Sequence, residues 1–321
     1  MKKHRSKAAA FLLLFILPLS LFAQGAGSGE LKNDPALHFS LAGRYAPAGR
    51  TISVGAASAG FSQSILREPG KFTFGSITGD FLKDAGEIWG YPLHIRTRDI
   101  LPITGLAVLT GFLIGNDESI RQAFMDYRSG HVWVKAVSPV LTNMGSYGAW
   151  GIAAAFLLFG RAGSKTLETG VLASSAILQS GILVTVLKGV FGRQRPSWED
   201  GVDRWSGPVG FFDRFKSGNY GRYDSFPGGH SITAWSLATV IASQYRETVW
   251  LPILSYTTAA GVALSRVTEG KHWLSDCLVG SVLGYVIGRM VVLNHRSRYH
   301  VLPTAGVVNG AVSFALTFSV R

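Results

Sequence analysis

The chain of 321 residues is 47% hydrophobic and only 16% charged, with 39 glycines, 12 prolines, one cysteine and a formal net charge of +12. That apolar fraction excludes disorder as a global description and suffices for one large core or two small ones. The lone Cys277 excludes an internal disulfide and any thiolate-held zinc or iron–sulfur centre.

Residues 1–23 carry Lys2, Lys3, Arg5 and Lys7 ahead of the apolar run Ala8 to Phe22, followed by the small residues Ala23 to Gly27. A basic start, a short apolar stretch and small residues describe a secretory signal peptide cut after Ala23, with an uncleaved anchor as the alternative. Its loss leaves about +8, concentrated after Lys188 at Arg193, Arg195, Arg204, Arg214, Lys216, Arg222 and Arg266. Residues 24–100 form a Gly-, Ala- and Ser-rich lead-in. It has short alternating pieces near residues 38–54, and from Phe72 to Ile95 a surface helix ending before Pro92.

Six uncharged stretches follow: Leu101 to Asn116, Ala136 to Gly160, Thr169 to Leu187, Ser231 to Tyr245, Val249 to Ser265, and Cys277 to Gly288. They predict an all-α fold, a helical bundle of about six core helices over residues 101–293. A spanning helix needs about 20 apolar residues, so only the second and third runs are comfortably long enough. Composition is compatible with an integral bundle and with one lying on the membrane. Trp133, Trp150, Trp198, Trp205, Trp250 and Trp273 stand near run ends, as interfacial anchors would. Cys277, inside an apolar run, is expected to be buried and inert. Over residues 299–321, strand-like Tyr299 to Val308, the turn signal Asn309-Gly310 and alternation from Val312 to Val320 predict a small β-hairpin.

Three clusters place cations and histidines at helix ends. Lys188 to Pro196 closes the third run, where basic residues also answer the helix dipole. Ser225-Phe226-Pro227-Gly228-Gly229-His230-Ser231 precedes the fourth run. Helix N-terminal amides and close-approach glycines there suit an anion, although Pro-Gly-Gly is also ordinary turn chemistry with His230 or Ser231 as a cap. In Ser265 to Asp276, His272 and Asp276 are four apart. If the sixth helix begins near Lys271 they share a face, as an imidazole and its orienting carboxylate or as a surface ion pair.

Together these clusters resemble the superfamily of type 2 phosphatidic acid phosphatases, bacterial class A acid phosphatases and vanadium-dependent haloperoxidases. Lys188, Arg195 and Pro196 match its first motif, and Ser265, Arg266, His272 and Asp276 its third. Pro227, Gly229 and His230 match the second, with Gly228 where the family usually has serine. The resemblance implies phosphomonoester or diphosphate hydrolysis without a metal or other cofactor. It implies His272 as nucleophile, Asp276 as its orienting partner and His230 as general acid. Lys188, Arg195 and Arg266 would hold the phosphoryl oxygens, with the amides of Gly228 and Gly229 contributing. Vanadate would enter as an inhibitor or, in a haloperoxidase, as cofactor; a non-catalytic envelope protein retaining the pocket is the other alternative.

Apolar runs beside the site favour a lipid phosphate as substrate and the membrane as partner: phosphatidic acid, phosphatidylglycerol phosphate, undecaprenyl diphosphate or a lipid A phosphate. Nucleic acid drops out, because the basic residues follow the phosphate motifs and form no aromatic-interleaved stripe. The expected location is the cell envelope, on the periplasmic side of the inner membrane. If residue 24 is exported and the first three runs all span, Lys188 falls on the opposite side. Either Leu101 to Asn116 does not span, or the bundle is peripheral and periplasmic, or the leader is misread, the first two being favoured.

Overall fold

The computed structural model describes residues 74–198, 204–213, 215–216, 221–298, 300–308 and 311–319. The leader and the alternating pieces near residues 38–54 lie outside them. Nine α-helices form the body among the described residues: α1 (Phe74–Gly90), α2 (Thr97–Gly130), α3 (Val132–Met144), α4 (Tyr147–Phe159), α5 (Lys165–Phe191), α6 (Gly207–Asp213), α7 (Gly229–Gln244), α8 (Trp250–Thr268) and α9 (Leu274–Arg298). Past α9 the backbone makes two strands, β1 (His300–Val308) and β2 (Ala311–Ser319), paired antiparallel with Val308 opposite Ala311. The Asn309-Gly310 turn is outside the described residues.

Helix lengths correct the sequence expectation in two places. The first run does not stop at Asn116: α2 continues through Asp117 and Glu118 for 34 residues. The second run is not one helix. It breaks between α3 and α4 at Gly145, where a Cβ would stand 2.3 Å from Val262 and 3.2 Å from His230. The chain therefore presses bare backbone against two site-bearing helices and pays for this in helical continuity. Among the described residues three helices are long and apolar enough to cross a membrane: Thr97–Gly130, Lys165–Phe191 and Leu274–His295. The first packs Leu113, Ile120 and Phe124 into the core but leaves Leu101, Val108 and Phe112 exposed, whereas the last is mostly enclosed by other helices.

The central packing is between α7 and α9, and a glycine stripe sets it. A Cβ on Gly280, Gly284 or Gly288 would come within 2.5 Å of Gly228 O, 2.3 Å of Ile232 O and 2.6 Å of Ser236 O, respectively. Glycine at every fourth residue of α9 thus lets it lie directly on the carbonyls of α7. Around the seam, Ile232, Val240, Ile287, Val291 and Val292 join Leu172, Ala173, Ala176 and Ile177 of α5 in one buried cluster. The bundle directs the C-terminal ends of α5 and α8 and the N-terminal ends of α7 and α9 to one region, where all three sequence clusters meet.

Candidate active site

Each helix end reaches this region by identifiable local chemistry. Helix α5 starts on Ser164, whose side chain accepts the amide of Leu167 at 3.2 Å. It ends on Gly192, in the left-handed region (φ 52°), whose amide returns to the carbonyl of Lys188 at 2.9 Å. A Cβ at Gly192 would also overlap Gly207 O, at 2.0 Å. Helix α8 ends at Thr268, and Gly270 (φ 64°) turns the chain so that the amides of Lys271 and His272 both donate to the carbonyl of Arg266, at 3.0 and 3.3 Å. That turn sets His272 beside Arg266.

Helix α9 begins at Leu274, three residues later than the sequence expectation. His272 therefore sits in the turn before the helix and does not share a helical face with Asp276. Asp276 reaches back instead: its Oδ2 accepts the amide of Trp273 at 3.0 Å, the carboxylate half of a capping box. It also lies 3.5 Å from Nδ1 of His272 and 2.5 Å from Oγ of Ser225. With Nδ1 turned to the carboxylate, Nε2 occupies the opposite edge of the ring. His272 and Asp276 are both fully buried.

The three cations assigned from sequence gather in front of this pair. Arg195 Nε donates to Asp224 Oδ1 at 2.6 Å, and Lys188 Nζ lies 3.8 Å from Asp224 Oδ2. Burial raises the Asp224 carboxyl, but Lys188 and Arg195 outweigh it and hold the group below the usual carboxylate range. Arg266 Nη1 donates to Glu269 at 2.9 Å and to Thr142 at 3.4 Å, while its buried Nε has no partner. A buried guanidinium N–H is costly to leave unpaired.

His230 lies in the first turn of α7, near enough to Arg266, His272, Lys188 and Arg195 for their charges to act on it. Burial first, and these positive neighbours second, push its imidazole down to about 3. Burial likewise lowers His272 to about 4, with Asp276 opposing and Arg195 and Arg266 adding to the shift. Both rings are therefore neutral near pH 7 in this structure. Gly229 borders Lys188: a Cβ there would stand 3.5 Å from Nζ. Gly228 departs from expectation, because its amide already donates to the carbonyl of Asp276 at 2.9 Å. It is spent on joining α7 to α9 and does not face an anion.

Sequence reasoning missed the second layer. Arg193, completely buried, donates through Nη1 to Asp276 Oδ1 and Ser275 Oγ, each at 2.6 Å, and through Nη2 to Asp117 Oδ2 at 2.8 Å. Its guanidinium lies 4.7 Å from the ring centre of Trp205 and 5.2 Å from that of Trp273. Trp273 is no interfacial anchor: it is buried, with Nε1 donating to Gln194 O at 2.9 Å. The signal that could have found this layer is Asp117 itself, a carboxylate continuing an apolar run, which is expensive unless it is paired. Among the described residues no group of three or more His, Cys, Asp or Glu side chains converges as metal ligands would.

Residues 169–299 match the family model described as the PAP2 superfamily. A lipid A 1-phosphatase of Porphyromonas gingivalis is 27% identical over 203 residues, 62% of this chain and 38% of that protein. A lipid A 1-phosphatase of Rhizobium etli is 29% identical over 170 residues, 47% of this chain and 67% of that protein. The chain thus aligns with under half of the length of the first relative. A crystal structure of a transmembrane PAP2-type phosphatidylglycerolphosphate phosphatase from Bacillus subtilis is similar at 23% identity and a TM-score of 0.41, covering 68% of this chain and 92% of that one. The matched segment runs from within α5 through α9 and contains the three cations and both histidines of the pocket.

Proposed function

We propose that the chain is a metal-independent lipid phosphate phosphatase working through a phosphohistidine. The observation that carries this reading is the meeting of Lys188, Arg195 and Arg266 with His230 and His272 at four helix ends, one guanidinium N–H of Arg266 being buried without a partner. Phosphoryl transfer asks mainly for positioning and for stabilisation of spread-out charge. Three cations and the N-terminal end of α7 supply both.

In this mechanism Nε2 of His272 attacks phosphorus as the bond to the leaving oxygen breaks. Asp276 keeps the proton on Nδ1 and offsets the charge that develops on the ring. His230 gives its proton to the leaving oxygen. Then, as a base, it takes one from the water that hydrolyses the phosphohistidine, so protons balance over the cycle. His230 is neutral in the cation-rich pocket, and a bound phosphate dianion, by cancelling that charge, favours its protonation. Proton uptake is therefore coupled to substrate binding.

The substrate is a lipid phosphate of the lipid A class, supported by the two relatives and by apolar helices reaching the site. Residues 1–23 act as an export leader, residues 101–293 as the phosphatase bundle, and the pocket faces the periplasm. Phosphate release from a panel of lipid and soluble phosphates, with and without EDTA and vanadate, tests the chemistry. Chelator-resistant, vanadate-inhibited turnover that vanishes in His272→Ala is the expected result. Full activity in that variant overturns the mechanism, vanadate-dependent halide oxidation supports a haloperoxidase instead, and no turnover on any phosphate supports an idle pocket. Protease accessibility of the loop between Asp200 and Arg222 in spheroplasts tests the sidedness.

A further inference from the structure

Asp117 belongs to α2, outside the segment that matches the family, yet it lies two side chains from the reacting histidine. Its Oδ1 accepts the amide of Ser275 at 3.1 Å, and its Oδ2 accepts the hydroxyl of Ser275 and Nη2 of Arg193, the latter at 2.8 Å. The other arm of the same guanidinium holds Oδ1 of Asp276 at 2.6 Å, which leaves Oδ2 of Asp276 for Ser225, Trp273 and His272. Asp117, Arg193 and Asp276 are all buried.

We propose that Asp117 is a positioning residue for the reacting histidine, acting through Arg193 and Asp276. Two properties of the arrangement carry this. The first is geometric. Arg193 is a rigid planar fork, and a fork gripped at one arm only can rotate about its stem. Asp117 fixes the second arm, and Ser275, bonded both to Asp117 and to the first arm, ties the two together, which fixes the Asp276 carboxylate that orients the imidazole. The second is electrostatic. Arg193 paired with Asp276 alone would be neutral, whereas Asp117 gives the triad one net negative charge. That charge suits the positive charge that appears on His272 when Nε2 bonds to phosphorus, and it does little for binding the phosphate beforehand. A contribution confined to the transition state appears in kcat, not in KM.

The inference rests on the phosphatase reading, and the test separates the two. Wild type, Asp117→Asn, Asp117→Glu and Ser275→Ala are purified as full chains in detergent, and kcat, KM and thermal midpoint are measured on one lipid phosphate. Asp117→Asn keeps shape and loses charge. It should lower kcat roughly ten- to a hundred-fold, the range seen for outer partners of functional groups, with KM within about twofold. Asp117→Glu should recover part of kcat, because it restores the charge. A folded Asp117→Asn protein with wild-type kcat, a loss appearing in KM instead, or losses that only follow the thermal midpoint overturn the inference. If Asp117→Asn does not fold, Ser275→Ala decides: it keeps every charge and removes one bridging hydroxyl, so unchanged kcat overturns the inference and a lowered kcat at unchanged KM supports it. A wild type inactive on every phosphate overturns the phosphatase reading itself.

Discussion

Arg193 and Arg195 stand two residues apart and serve two different layers of the same site. Arg195 lies in the front layer, partly accessible, and its carboxylate partner Asp224 also lies near Lys188. Arg193 lies behind, with no accessible surface, divided between two buried carboxylates and flanked by two indole rings. A front cation must be able to exchange its protein partner for a ligand. A rear cation must never lose its partners, since a buried charge left alone costs several kcal/mol. One sequence motif therefore supplies a binding group and a structural one, and the two should fail in different ways.

The rear layer should show the largest effect. Arg193→Met, similar in length but uncharged, leaves the buried carboxylates of Asp117 and Asp276 without their shared cation, and the expected loss of stability is about 3–5 kcal/mol. A thermal midpoint in detergent equal to wild type would break the distinction between the layers. In the front layer, Arg266→Lys replaces a fork by a point charge at a position whose Nε is unpartnered. It should lower kcat/KM about ten- to a hundred-fold while leaving the midpoint almost unchanged. Unchanged kinetics would remove Arg266 from the phosphate-holding set.

The front layer was far more legible in the sequence than the rear. Lys188, Arg195, His230, Arg266, His272 and Asp276 follow a spacing that can be read along the chain, and the bundle brings them together. The rear layer depends on Asp117, separated from Arg193 by 76 residues and from Ser275 by 158, and no local pattern encodes such pairings. Helix boundaries were limited in the same way. The break at Gly145 and the glycine stripe of α9 are answers to neighbours that only the folded chain supplies. Gly228 shows the limit most plainly, because its amide reads as an anion donor until the carbonyl of Asp276 is found against it.

The histidines add a pH response. His230 and His272 are held at about 3 and about 4, well below the ordinary imidazole value. The unfolded chain takes up protons as pH falls below about 6.5, while the folded chain does not until the folded values are reached. Stability is therefore full above that point and is lost as pH falls towards the folded values. At pH 5 the loss is about 2 kcal/mol for each ring. A falling midpoint between pH 7 and pH 5, reduced by added vanadate or phosphate, is the expected result. An anion in the pocket offsets the cations that lower both rings, so an acid limb indifferent to the anion would detach the histidines from the phosphate-holding front layer.

The smallest effect is expected where the chain departs from the motif of the family it resembles. Restoring the usual serine by Gly228→Ser adds a hydroxyl beside the pocket, and a purely local view anticipates tighter phosphate binding. The packing of α9 argues otherwise. A Cβ at Gly228 would meet the carbonyl oxygen of Asp276 at 3.1 Å and Cα of Cys277 at 3.3 Å, both backbone atoms at the start of the helix that carries the orienting carboxylate. Gly280 faces the same spot and has no room of its own, so neither helix can yield by rotating a side chain. Relief comes only from moving α9 by a few tenths of an ångström, which costs about 1 kcal/mol by analogy with modest overpacking and shifts Asp276 with it. Gly228→Ser should thus lower the midpoint slightly and leave kcat/KM equal or reduced. A several-fold rise in kcat/KM would mean that the front layer lacks a donor the family supplies, and that α7 and α9 separate more readily than their glycine contacts imply.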